Sequence, residues 1–198
     1  GRRVVVTRAR AQASGLASTL RSLGAEAVEL PAIRIEPRIE DEEVRRAVER
    51  IGEYALICVT SPNGVRLLFE ALSAAGLDAR AFGGIPKLQQ VGKGDSGGGH
   101  ARTGTTIAAI GPGTARALAQ HGITADIVPE RFVAEALVEA LSSVEVEGRR
   151  VLVARAAEAP DVLPDALRER GAEVDVISLY ETVRETPEPE AIEAAQTA

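Results

Sequence analysis

Residues 4–26 align without a gap to residues 151–173, at an offset of 147, and ten of the 23 aligned positions are identical. They are Val4, Val6, Arg8, Ala9, Leu16, Leu20, Arg21, Gly24, Ala25 and Glu26 with their counterparts. Each copy reads as an apolar run, a stretch with leucines at helical spacing, a glycine at a helix C-cap and a second apolar run. Convergent α/β grammar can supply the valines, leucines and glycine. Arg8 matching Arg155 directly after a strand is harder to reach that way and favours duplication. Between the copies the alternation continues. Strands are expected at 4–6, 26–30, 55–59, 107–110, 125–128, 151–153 and 173–179, and helices at 12–23, 41–51, 62–75, 114–121, 133–142 and 160–170. Strands alternating with helices imply βαβ units and a mainly parallel sheet covered on both faces, an α/β class. The second copy is followed only by an acidic, proline-bearing tail at 186–190, so an incomplete two-domain protein is expected.

Composition narrows the function classes. A net charge of −6, from 23 basic and 29 acidic side chains, gives no global basic footprint for nucleic acid. The single cysteine, Cys58, excludes an intrachain disulfide and any multi-cysteine metal site, and fits a reducing compartment. No apolar run reaches the roughly 18–20 residues that span a bilayer, so a cytoplasmic location is expected. The chain begins at Gly1 and has no methionine, so Gly1 is not read as a translation start. Residues 83–106 hold 8 of the 19 glycines and both lysines, Lys87 and Lys93, with no apolar periodicity. They read as a surface loop or insertion; the string GKGDSGGG lacks the spacing of a phosphate-binding loop.

In an open parallel sheet, ligands sit beyond the carboxyl ends of the strands. The turns expected there are Thr7-Arg8, Thr60-Ser61-Pro62-Asn63-Gly64, Gly111-Pro112-Gly113-Thr114, residues 129–133 leading to Val133-Ala134, and Ala154-Arg155. Each turn alone reads as ordinary helix capping. Together with Arg8 and Arg155 they read as a cleft for carboxylates or phosphates. His100 and His121 read as surface residues, Cys58 as core, and no triad or carboxylate pair stands out. Tyr180 ends a strand at the position matching Ile33 in the first copy. It reads as either a packing residue or a hydrogen-bond donor facing the cleft.

The segments VVVTRA…LRSLGAEAVELPAIRIEP, YALICVTSPNGVRLLFEAL, IAAIGPGTARALAQHGITADIVPERFVAEALVEAL and GRRVLVARA…LPDALRERGAEVDVISLYETV, in this order, resemble uroporphyrinogen-III synthase. The resemblance implies two similar flavodoxin-like α/β domains joined by a two-stranded linker near 32–38 and 179–185. Domain one would be 1–35 plus 184–198, incomplete here, and domain two 36–183, carrying the Gly-rich insertion at 83–106. It implies a cofactor-independent lyase of haem biosynthesis. That enzyme cyclises hydroxymethylbilane, a linear tetrapyrrole with eight carboxylates, to uroporphyrinogen III, with loss of water and inversion of ring D. Tyr180 would assist departure of the ring A hydroxyl. Thr7, Arg8, Thr60, Ser61, Asn63, Gly111, Thr114, Val133, Ala134 and Arg155 would contact acetate and propionate groups. A monomer is implied, with hand-over from hydroxymethylbilane synthase, no metal, no membrane and no nucleic acid. The alternative is a non-catalytic, synthase-like sensing domain of a transcriptional regulator, for which a fused DNA-binding segment would speak.

Overall fold

The computed structural model describes residues 2–83, 104–187 and 189–196. The expectations for the Gly-rich stretch, including Lys87, Lys93 and His100, therefore lie outside the described residues. The chain forms two compact units, residues 1–36 with 181–198 and residues 37–180. No helix among the described residues is long and apolar enough to cross a membrane.

The larger unit is built on parallel strands. β4 (Leu56–Val59) pairs with β5 (Thr106–Ala109) on one side and β6 (Arg150–Ala156) on the other, and β6 pairs with β7 (Glu173–Arg184). The strand order is β3-β7-β6-β4-β5, in which β3 (Ile33–Pro37) and β7 both run across the boundary between the units and the larger unit itself holds β4, β5, β6 and β7 up to Tyr180. All four residues of β4 are buried, and its uninterrupted LICV run is what a strand covered on both faces requires. Successive side chains go to opposite faces. Leu56, Cys58, Val151 and Val153 pack with Leu137 and Leu141 of α5 (Ala134–Ala140) and its C-cap, and with Leu163 and Leu167 of α6 (Val162–Glu169). The alternating Ile57, Val59 and Leu152 are equally buried on the other side. There α3 (Pro62–Ala74) packs on α2 (Glu42–Glu49) and on α4 (Pro112–Gln120), and buries Val65, Leu68 and Leu72. Burial pushes the Cys58 thiol up to about 12, so it is a neutral core residue.

The smaller unit holds β1 (Arg3–Val6), α1 (Arg10–Ser22) and β2 (Glu26–Glu29), with β1 and β2 paired in parallel. The offset of 147 recurs in its geometry. Arg3 pairs with Glu26 in β1 and β2, and Arg150 with Glu173 in β6 and β7. Both pairs are also ion pairs, at 2.8 and 3.6 Å. Glu26 N donates to Arg2 O at 3.0 Å, and Glu173 N to Arg149 O at 2.9 Å. Gly24 and Gly171 turn the chain out of α1 and α6 with φ of 82° and 80°, a region where a side chain is strained.

Two expectations are corrected. The strand at 125–128 is reduced to a single bridge between Ile127 and Ala108. The Asp126 carboxylate accepts from Ile107 N at 3.0 Å, so a side chain takes the place of the next ladder bond. The acidic tail carries a helix, α7 (Pro189–Gln196), which begins at the second proline and packs on β2.

Candidate active site

The larger unit has a pocket of about 360 Å³ at the carboxyl ends of its strands. Its polar side chains are Thr60, Glu135, Arg155 and Tyr180. Its apolar side is Ile110, Val133, Leu163 and Pro164. This is the edge where a parallel sheet collects its turns and helix N-termini.

Four expected residues besides Tyr180 line it: Thr60, Val133, Ala134 and Arg155. Thr60 follows β4, and both its N–H and its hydroxyl reach Ala154 O, at 3.2 and 3.4 Å. Val133 caps α5 and Ala134 starts it. Arg155 is near the end of β6, where the register slips against β7. Arg155 faces Ser178 but Ala156 faces Tyr180, so Leu179 is the extra residue of a bulge. Without that slip Leu179 would stand opposite Ala156. The bulge is what brings Tyr180 level with a residue of the pocket wall.

Tyr180 is 7% exposed and donates from Oη to Ser61 Oγ at 2.9 Å. Ser61 is the N-cap of α3, and its Oγ also accepts from Gly64 N at 2.9 Å. Capping and site chemistry therefore coincide at Ser61: the hydroxyl that closes the helix also holds the phenol. A Cβ at Gly64 would lie 3.2 Å from that Oγ, so the glycine leaves room for the contact.

The remaining expected residues lie elsewhere. Asn63 is in the first turn of α3, and Thr114 is 2% exposed in the first turn of α4. Gly111 caps α4 and faces the Phe132 ring, whose atoms would come within 3.0 Å of a Cβ there. None of these three lines the pocket. Thr7 and Arg8 are exposed, in the smaller unit. His121 is not merely solvated: its ring stacks on Phe69 at 3.9 Å and 6°. Sequence reasoning missed Glu135, Leu163 and Pro164. The signal available was position alone, since each lies within the first turn of the helix that follows an expected turn.

The comparisons agree on one family. The model of uroporphyrinogen-III synthase HemD matches residues 14–198. The chain is 33% identical over 182 residues to the porphyrin biosynthesis protein HemD of Ruminiclostridium josui, covering 92% of this chain and 32% of that protein. It is 28% identical over 183 residues to uroporphyrinogen-III synthase of Synechococcus elongatus, covering 92% of this chain and 61% of that one. A crystal structure of a mutant uroporphyrinogen III synthase from the extremely thermophilic bacterium Thermus thermophilus superposes with a TM-score of 0.61 at 23% identity, over 97% of this chain and 66% of that one. At that identity the likeness speaks for the α/β fold. The chain thus spans less than two thirds of the length of these curated relatives. With the family model covering nearly its whole length, the chain belongs to the uroporphyrinogen-III synthase family.

Proposed function

We propose that the larger unit is one domain of a uroporphyrinogen-III synthase and that its pocket holds part of hydroxymethylbilane while the chain closes to uroporphyrinogen III. The observation that carries this reading is the Tyr180 hydroxyl, held by the Ser61 N-cap on the wall of a pocket that also carries Arg155. The pyrroles supply the reactivity, so the protein has to orient a flexible acid and stabilise a leaving hydroxyl. The ring A C–O bond breaks with its electron pair on oxygen, and the pyrrole nitrogen lone pair fills the vacancy at carbon. Tyr180 then donates to the departing oxygen in place of Ser61, and water leaves. Ring D attacks the resulting cation through its substituted α-carbon to give the spiro intermediate. The bond from that carbon to the ring C methylene then breaks, and the freed methylene bonds to the other α-carbon of ring D. The proton lost from that carbon restores the one given by Tyr180. A net charge of −6 gives no long-range attraction for an acidic substrate, so local donors have to hold it.

Supplying hydroxymethylbilane and separating the uroporphyrin isomers after oxidation tests the reading. An excess of isomer III over the spontaneous isomer I is expected; isomer I alone would count against it.

A further inference from the structure

Two hydroxyls share one hydrogen bond at the pocket wall. Tyr180 Oη lies 2.9 Å from Ser61 Oγ, and the same Oγ accepts from Gly64 N at 2.9 Å. A hydroxyl carries one hydrogen and two lone pairs, so either oxygen of such a pair can donate to the other. With both lone pairs of Ser61 engaged, its own hydrogen takes part in neither bond. Tyr180 lines the pocket and is 7% exposed, whereas Ser61 is not among the lining residues. Ser61 thus stands one bond behind the surface that a ligand meets, and its hydroxyl acts on a ligand through Tyr180.

We propose that Ser61 is a positioning residue that reverses this bond during the reaction: it accepts from the Tyr180 phenol at rest and donates to the phenolate once the proton has left. This rests on the synthase reading, in which Tyr180 gives its proton to the departing oxygen. The O–H bond of Tyr180 breaks, the proton leaves with that oxygen as water, and the electron pair stays on Oη. The Ser61 proton is shared and never transferred, and a turn about the Cβ–Oγ bond aims it. The need is set by burial: an oxyanion with so little exposure meets few waters, and a protein donor has to replace them. A hydroxyl bound to a charged oxygen is held about twice as strongly as one bound to a neutral oxygen. The bond is therefore stronger after proton loss than before, which is the condition for lowering a barrier instead of only tightening binding. The Gly64 N–H stays on Ser61 Oγ throughout and polarises it as a donor. The amino end of α3 adds the positive end of its dipole beside the new charge. The proton that ring D later loses returns to Oη and restores the resting bond.

A double-mutant cycle on the kinetics of isomer III formation from hydroxymethylbilane tests this. Glycine is nearly as good an N-cap as serine but has no hydroxyl, so Ser61→Gly separates the cap from the donor. Ser61→Gly is expected to lower kcat by about tenfold or more, with KM little changed and the thermal midpoint held. Ser61→Thr, which keeps the hydroxyl, is expected to recover most of that rate. Ser61→Asp keeps a capping acceptor and, ionised, has no hydrogen to give, so it is expected to lose kcat as well even where a lower midpoint spoils Ser61→Gly. In a Tyr180→Phe background Ser61→Gly is expected to cost no further rate, because the phenolate it serves is gone. An unreduced kcat in Ser61→Gly, an equal loss in both backgrounds, or a rise in KM alone overturns the proposal, while isomer III from the wild-type chain keeps the synthase reading. Isomer I alone from the wild-type chain overturns both.

Discussion

Tyr180 and Ser61 show how a helix cap becomes part of a site. The Ser61 Oγ accepts from both Gly64 N and Tyr180 Oη, so its lone pairs are filled and the phenol is aimed by the first turn of α3. In the Thr-Ser turn, Ser61 caps α3 while Thr60 lines the pocket. Tyr180 and Arg155 stood out in the sequence because polar groups at strand ends are unusual within an apolar pattern. Leu163 and Pro164 did not, because an apolar residue facing a pocket has the same pattern as one facing the core. Gly111 leaves space for Phe132, which is 59% exposed. Its φ of −175° is extended and strains no residue, so the cost of a side chain there is contact alone. Gly111→Ala is expected to cost about 1 kcal/mol or less, and less still in a Phe132→Ala background, where only the Cβ contact at 3.2 Å remains. Chemical denaturation of the two single variants and the double variant checks this; equal costs in both backgrounds would contradict it.

Among the elements, β6 is the hub of the larger unit. At its amino end Arg150 is ion-paired with Glu53 and Glu173, from either side of the strand. Beside them the buried Tyr54, two residues before β4, donates to Asp175 Oδ2 of β7 at 2.7 Å. Burial first, and then the bond to Asp175, raises the Tyr54 pKa above its ordinary 10.0. The unfolded chain releases that proton near the ordinary value while the folded chain keeps it. The stabilisation is therefore whole below pH 10 and is lost as pH rises beyond it, by about 1.4 kcal/mol per pH unit. Denaturation midpoints between pH 9 and 11 should show this fall, and Tyr54→Phe should remove it; an unchanged slope in the variant would refute the assignment. Element identity was legible wherever apolar periodicity ran through three or more positions, as in β4, α3 and β6. It failed at 125–128, where the Asp126 carboxylate took over a backbone bond, and at α7, where two prolines and a run of glutamates masked a short helix.

Taken together, the two units differ in how much apolar surface they enclose. The buried cluster of the smaller one is Val6, Ala13, Ala17 and Ala27, on a two-stranded sheet. The larger one encloses β4 and β6 between layers of leucine-bearing helices. A two-stranded sheet is marginal without such cover. Amides of β4 and β6 are accordingly expected to exchange at least about a hundredfold more slowly than those of β1 and β2, as followed by hydrogen exchange. Equal protection would contradict that difference. The repeat at offset 147 is matched by equal registers and glycine turns, and by ion pairs that add Arg3 and Arg150, one residue before the aligned segments. It could not foretell the bulge at Leu179, because the extra residue lies beyond the aligned segment. That bulge places Tyr180, and the account stands or falls on what Tyr180 does. The most direct measurement is the rate of isomer III formation from hydroxymethylbilane by the wild-type chain and by Tyr180→Phe, side by side. The account predicts an excess of isomer III from the wild type and a loss on the order of 10²-fold in the variant, since one directed donor is removed from the leaving oxygen. Isomer I alone from the wild type, or an undiminished rate in Tyr180→Phe, would contradict it.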